Sequence, residues 1–398
     1  MDKQEKIQEV LRRGVENIYP SPEALEEVLR SGKKLKIYNG IDPTGPTLHL
    51  GHSVQMLKLK QLQDLGHEII VLIGDFTAQI GDPTDKSLSA RKQLTHKQVL
   101  QNAKDYRKQV GKILDLKKTK FKYNSKWLGK LSFADTLKLS SYFTAQQTLA
   151  RDMFKKRMQD GKDLFLHEFL YPMMQAYDSV AMDVDLEIGG NDQMFNMLAG
   201  RTLMKKMKNK EKFVLTTKLL ADPSGKKMGK TEGNLIGLEE TPNNMYGKIM
   251  SWPDELINIG FEILTDAPTA EIIQIKKDLD VGQNPKIKKM LLAYKIVEMY
   301  HGARRAISAE ENFKQVFQEG LNPDNIPEMK VESKNLIDIL VETKLASSRA
   351  DARRLVSQGG IKVDTKLTDD INYVVENFDA DGVVIQKGKR FFVKIFKK

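Results

Sequence analysis

Apolar positions along the chain switch between a helical and a strand period, and the switches mark out its elements. Ser21, Pro22 and Glu23 read as an N-cap, a proline at the first helical position and a first-turn acid, and Gly32 closes that helix. Residues 35–38 then alternate as a short strand. Residues 40–46, Gly-Ile-Asp-Pro-Thr-Gly-Pro, are too rich in glycine and proline to be anything but a loop. From about His49 the apolar residues Met56, Leu59, Leu62 and Leu65 recur at helical spacing until Gly66. Residues 68–73 are a β-branched run suited to a parallel strand covered on both faces. Strand, helix and strand in this order seed a doubly wound sheet.

Helical spacing dominates residues 92–177, broken by the basic stretch 117–122, and residues 185–188 predict a further strand feeding a glycine turn at 189–193. Residues 243–318 read as helical, with an amphipathic run over 290–307. The stretch 320–334, with Pro323, Pro327 and few apolar residues, reads as a linker. Beyond it, Ser348 and Asp351 resemble a capping box opening a helix that Gly359 and Gly360 end, and residues 361–363, 383–385 and 391–395 read as strands. The expected class is α/β. A doubly wound parallel-sheet domain is expected over residues 1–233, an α-helical domain over 234–319, a linker over 320–334 and a small α+β unit over 335–398.

Composition narrows the function. The 398 residues are 40% hydrophobic and 29% charged, which suits a globular chain and excludes repetitive or collagen-like classes. No apolar run approaches the roughly 18 residues of a membrane span. The N-terminal residues are charged and show no secretory segment, so a cytoplasmic protein is expected. With no cysteine, thiol nucleophiles, disulfides and Cys-based zinc sites are excluded together. The net charge of +11 suits a polyanionic partner such as nucleic acid.

Two elements carry candidate chemistry. His49-Leu50-Gly51-His52 falls where a loop enters a helix, so first-turn amides and two imidazoles face an incoming anion, while Gly51 lets a flat base or a phosphate approach the backbone. Lys226-Lys227-Met228-Gly229-Lys230-Thr231 follows Asp222-Pro223-Ser224-Gly225, and lysines on such a loop can close on phosphate as negative charge develops. Alone, two histidines at this spacing suit a core and a lysine-rich loop suits plain solvent. A metal site finds no conventional ligand spacing nearby.

Together, HxGH and KMxKT resemble the two signatures of class I aminoacyl-tRNA synthetases. Residues 38–44 (Tyr-Asn-Gly-Ile-Asp-Pro-Thr), 74–78, 80–83, Tyr171 through Asp178 and 190–193 are similar to blocks of the tyrosyl-tRNA synthetase family, in family order. Residues 345–364 look like an S4 RNA-binding domain. The resemblance implies a Rossmann-like catalytic domain and a tyrosine-activating enzyme with L-tyrosine, ATP and tRNA(Tyr) as substrates. It also implies Mg²⁺ accompanying ATP, no tightly held protein-ligated metal, and a homodimer.

The same resemblance assigns residues. Tyr38 and Asp178 would read the phenol; a site built to bond a hydroxyl rejects the analogue lacking it, a discrimination for which tyrosyl enzymes are the standard example. Asp82, Tyr171 and Gln175 would hold the ammonium, and Gln193 would orient the substrate near its carboxylate. Asp42 and Asp192 would serve the adenylate, with Asp192 on the ribose. His49, His52, Lys227, Lys230 and Thr231 would stabilise the transition state and departing pyrophosphate, joined by Gly51, Lys86 and Arg91 at the nucleotide. Arg349, Arg353 and Arg354 crowd one helix and, with Lys389 and Arg390, would contact RNA phosphates. A tryptophanyl enzyme shares both signatures without requiring Tyr38 and Asp178. A small nucleotidylyltransferase would lack the RNA-binding regions. A non-catalytic RNA-binding descendant would show eroded signatures, and these are intact.

Overall fold

A computed structural model describes residues 2–83, 93–221, 235–318, 326–376, 378, 382–388 and 391–398. Packing divides the chain into two units, one of Met1–Glu240 with Trp252–Leu292, the other of Thr241–Ser251 with Ala293–Lys398.

The first unit contains a six-stranded sheet of β1 (Val15–Tyr19), β2 (Lys36–Ile41), β3 (Glu68–Ile73), β4 (Thr119–Tyr123), β5 (Leu186–Gly190) and β6 (Phe213–Thr217). Their order is β1-β6-β5-β2-β3-β4; β2 to β6 run parallel, and β1 pairs antiparallel with β6. The run predicted at 68–73 is β3, buried at every position after Glu68 as a doubly covered strand requires. β2 extends beyond its predicted end because Asn39, Gly40 and Ile41 pair with Val71, Leu72 and Ile73, and that ladder outweighs a poor local preference. The basic stretch at 117–122, read as an interruption, is largely β4. It is an edge strand, and its lysines keep that edge from recruiting another chain.

Helix Leu50–Asp64 starts at the predicted place, with His49 as N-cap. The loop before it is held from one side by polar side chains. Asn102 Nδ2 donates to Pro43 O (2.9 Å), Tyr106 Oη to Gly45 O (2.6 Å) and Gln109 Nε2 to Pro46 O (3.0 Å), while Gln109 Oε1 accepts from Leu48 N (2.7 Å). A Gly- and Pro-rich segment with a single bond of its own, Thr44 N to Asp42 O (2.8 Å), is thus fixed largely from outside. Helices Leu166–Met182 and Met194–Lys208 pack through Ala176, Val180, Leu203 and Met204.

Helices Leu256–Leu264 and Thr269–Asp280, expected in a separate helical domain, group with the first unit. One side chain explains much of this. Arg13 donates to the carbonyls of Phe261 (3.1 Å), Glu262 (2.8 Å), Thr265 (2.7 Å) and Ala267 (2.7 Å), and with the Thr265 hydroxyl, which donates to Phe261 O (2.7 Å), it satisfies the end of helix Leu256–Leu264.

Gly302, at φ +85°, a conformation that favours glycine, breaks the amphipathic run 290–307 into helices Pro285–His301 and Ala303–Gln318. The C-terminal sheet has the order β7-β11-β10-β8-β9, from β7 (Glu328–Val331), β8 (Ile361–Val363), β9 (Lys366–Thr368), β10 (Val383–Lys387) and β11 (Phe391–Lys397). β7 lies inside the stretch expected as linker: only Val331 of its four residues is buried, so its pattern was too weak to announce a strand. Ser348 caps helix Arg349–Ser357 as predicted, accepting from Asp351 N at 3.2 Å.

Replacing Arg13 by alanine is expected to lower stability by roughly 3 kcal/mol, since several helix-end carbonyls lose their donor. Urea denaturation should show a lower midpoint at unchanged slope.

Candidate active site

Strand order reverses between β2 and β5, and in such sheets the crevice beyond the carboxyl ends at the switch point receives ligands. Asp42 directly follows β2. Asp82 lies just beyond helix Thr77–Ile80, which follows β3, while Asp192 and Gln193 sit in the single turn after β5. Tyr171, Gln175 and Asp178 are spaced by four and three residues on helix Leu166–Met182, which puts them on one helical face.

The histidines are organised by the backbone. His49 Nδ1 accepts from Gly51 N (3.1 Å) and His52 Nδ1 accepts from His49 N (3.2 Å), with ring centroids 3.9 Å apart. With both Nδ1 atoms occupied as acceptors, each neutral ring carries its proton on Nε2. Two ring donors therefore stand at the helix start, where the amides are already bonded within the chain, Gly51 N to His49 Nδ1 and the N–H groups of His52 and Ser53 to His49 O. The chain that resumes at residue 235 binds across this turn: Leu50 N donates to Ile236 O (3.0 Å) and Leu238 N to Leu48 O (2.8 Å). The flank of the second signature is thereby tied to the first. Lys227, Lys230 and Thr231 themselves, like Lys86, Arg91, Lys389 and Arg390, lie outside the described residues.

Carboxylates crowd the crevice. Asp42 accepts from Thr77 Oγ1 (2.7 Å) and Tyr171 Oη (2.9 Å), yet burial, reinforced by Asp82 and Asp75, raises its pKa to about 7. Gly74 is required here, because a Cβ would land on the Asp42 carboxylate and 2.5 Å from Thr77 Oγ1. Asp82 accepts from Gln193 Nε2 (2.6 Å), whose own Oε1 accepts from Asn196 Nδ2 (3.0 Å). The three residues expected around an ammonium are therefore gathered but differently partnered: Tyr171 on Asp42, Asp82 on Gln193, and Gln175 Nε2 on Glu187 Oε1 at 3.1 Å.

At the inner end, Tyr38 is 1% exposed and Asp178 2%. They do not bond each other. The Tyr38 hydroxyl meets Ser179 Oγ at 3.0 Å, while Asp178 accepts from Trp127 Nε1 (2.7 Å) and Asn124 Nδ2 (3.3 Å). Burial raises the pKa of both, and the Asp178 charge adds to the rise at Tyr38, which puts the two groups in one buried neighbourhood. Asn124, Trp127, Thr77, Ser179, Glu187 and Lys212 escaped the sequence reading. Asn124 and Trp127 follow β4, and recognising that strand would have flagged them as strand-end residues.

In the second unit, Arg349, Arg353 and Arg354 are all exposed on helix Arg349–Ser357. Arg349 pairs with Asp338 (3.2 Å) and Arg354 with Asp351 (2.7 Å), exposed bridges of the kind that contribute little and exchange readily. Among the described residues no helix is long and apolar enough to cross a membrane, and no cluster of three His, Asp or Glu could hold a metal ion.

Residues 30–318 match the family described as tRNA synthetases class I (W and Y), and residues 317–395 match the tyrosine–tRNA ligase SYY-like C-terminal domain. The chain is 45% identical over 400 residues to a tyrosine–tRNA ligase of Carboxydothermus hydrogenoformans, with 97% of each chain covered. It is 43% identical over 390 residues to one of Thermotoga maritima, covering 97% of this chain and 96% of that one. The fold is shared with a crystal structure of Archaeoglobus fulgidus tyrosyl-tRNA synthetase complexed with L-tyrosine (TM-score 0.62, 24% identity, 77% of this chain and 100% of that one).

The Asp42 pKa predicts a proton-linked ligand. Its folded value near 7 exceeds the ordinary 3.8, so over that window the native state binds more protons and the Asp42 contribution to stability falls as pH rises. A ligand ammonium entering the cluster favours the ionised form. L-tyrosine binding at about pH 6 should therefore release protons, and above about pH 8 it should not. Calorimetry in buffers of different ionisation enthalpy reads this directly; equal apparent enthalpies in all buffers at pH 6 would contradict it, and Asp42→Asn should abolish the release.

Proposed function

This chain belongs to the class I tyrosyl-tRNA synthetases and is a tyrosine–tRNA ligase, and from that premise we propose how its residues divide the reaction. In the first step a carboxylate oxygen of L-tyrosine attacks the α-phosphorus of ATP, and pyrophosphate leaves. In the second, a 3′-terminal ribose hydroxyl of tRNA(Tyr) attacks the adenylate carbonyl and AMP leaves. Carboxylate and nucleotide arrive already reactive, so activation needs no protein nucleophile or general base, and the protein contributes positioning and charge stabilisation.

Tyr38 and Asp178 read the phenol as donor and acceptor. Asp82, Tyr171 and Gln175 take the ammonium by exchanging their mutual contacts for it, and Gln193 orients the substrate near its carboxylate. Asp42 stands by the adenylate, and Asp192 binds the ribose hydroxyls. The Nε2 protons of His49 and His52 meet the phosphates, and Gly51, with no side chain, leaves room for them beside the backbone. Lys227, Lys230, Thr231, Lys86 and Arg91 follow the charge onto pyrophosphate. Mg²⁺ is taken as part of the nucleotide substrate, where it would offset phosphate charge. Arg349, Arg353, Arg354, Lys389 and Arg390 hold RNA phosphates in a sequence-tolerant, salt-sensitive way.

The observation that carries the tyrosine assignment is the buried neighbourhood of the Tyr38 hydroxyl and the Asp178 carboxylate. Phenylalanine would offer nothing to the remaining donor and acceptor capacity of these two desolvated groups, which is costly. A homodimer is supported by apolar side chains that water would not favour: Phe133 is 79% exposed, Leu137 55%, Phe165 54% and Leu166 85%.

Pyrophosphate exchange into ATP, run with each of the twenty amino acids, should respond to tyrosine; a response to tryptophan alone would overturn the assignment. Asp178→Ala should weaken tyrosine use by at least about 100-fold while the KM for ATP changes little. Leu166→Asp should convert a dimer into monomers in sedimentation velocity, and an unaltered sedimentation coefficient would remove this face from the interface.

A further inference from the structure

A lysine and a glutamate with no part in the scheme above are sealed behind the phenol end of the crevice. Lys212 is 0% exposed and Glu187 2%. The Lys212 ammonium contacts Glu187 Oε2 and donates to Ser179 Oγ (2.8 Å) and Met197 O (3.2 Å), so its three N–H bonds are all used. Ser179 Oγ in turn lies 3.0 Å from the Tyr38 hydroxyl, and the other carboxylate oxygen of Glu187 accepts from Gln175 Nε2. Space for this is made by Gly200, where a Cβ would stand 2.6 Å from Lys212 Nζ and 2.9 Å from Ser179 Oγ.

Proton counting gives the chain a direction. An ammonium has no lone pair, so Ser179 Oγ accepts from Lys212. The serine has one proton of its own, and the Tyr38 oxygen is the side-chain partner it meets besides Lys212. Were Tyr38 to donate to Ser179 instead, a buried hydroxyl proton would be left without an acceptor. Ser179 therefore donates to Tyr38, which leaves the Tyr38 proton for an acceptor other than the serine: the Glu187 carboxylate, which acts on the Tyr38 hydroxyl, or a ligand's phenol oxygen that takes its place.

We infer that Lys212 and Ser179 are positioning residues for tyrosine selection: the ammonium of Lys212, fixed by Glu187, orients the Ser179 hydroxyl so that Tyr38 presents its proton to the substrate phenol, whose own proton goes to Asp178. The inference rests on the reading of Tyr38 and Asp178 as the phenol-binding pair and extends it to the groups behind them. It gives selection a polarity, with one donor and one acceptor set in advance, and such pre-set groups lose least when the matching hydroxyl arrives and most when it is missing. Through Gln175, the same glutamate also steadies the residue assigned to the ammonium end.

The test is the ratio of kcat/KM for tyrosine to that for phenylalanine in pyrophosphate exchange, measured for wild type, Ser179→Ala, Lys212→Met and, as a control on the underlying reading, Tyr38→Phe. A purely structural role would depress both substrates alike and leave the ratio unmoved. Ser179→Ala is expected to lower the ratio by about tenfold, mainly through a raised KM for tyrosine, and a folded Lys212→Met to lower it in the same direction. Lys212→Met strands a buried carboxylate, so where thermal melting shows that it does not fold, Ser179→Ala decides alone. If Tyr38→Phe lowers the ratio while Ser179→Ala leaves it within about twofold of wild type, the relay is wrong and the phenol reading stands. If Tyr38→Phe leaves the ratio unchanged, the phenol reading falls and the relay falls with it.

Discussion

Burial of several carboxylates at one edge of a parallel sheet, with their mutual repulsion added to it, is the constraint on which the catalytic unit depends. Asp42 feels Asp82 and Asp75, and Asp178 feels Asp42 and Glu187, in surroundings that already disfavour charge. Each is answered locally: Asp42 by Thr77 and Tyr171, Asp82 by Gln193, Asp178 by Trp127 and Asn124, and Glu187 by Lys212. Of these partners only Lys212 brings a full positive charge, and it is spent on Glu187. The buried Arg151 guanidinium also acts on Asp82, so a fixed cation offsets part of the charge in the cluster facing the crevice.

Parallel strands make such a cluster possible. All five finish at the same edge, so Asp42, Gly74, Asn124 and Gly190, far apart in the chain, come within reach of one crevice. Helix Leu166–Met182 closes it with a face carrying Tyr171, Gln175 and Asp178. The helix begun by His49 carries two imidazole rings at its start, each with Nδ1 taken by a backbone N–H.

Much of this was legible in the chain because it rests on local rules. The cap at Ser21 and Pro22, the strand at 68–73, the helix start at His49 and the cap at Ser348 follow from propensity, period and capping chemistry within a few residues. What escaped was made by distant partners. β4 looks like a basic interruption until β3 pairs with it, and β7 looks like linker until β11 does. Arg13 is an unremarkable residue at a helix end until four carbonyls some 250 positions away converge on it.

The site divides along the same line. Sequence alone determined the two signatures, the α/β pattern and the identity of the residues at the strand ends, because these need only short-range order and a resemblance of motifs. Tertiary structure decided which partner each takes: that Tyr38 meets Ser179 and not Asp178, that Gln175 leans on Glu187, and that Lys212 stands behind them both. Hydrogen-bond direction and desolvation depend on every group around a buried atom, and only the folded chain brings those groups together.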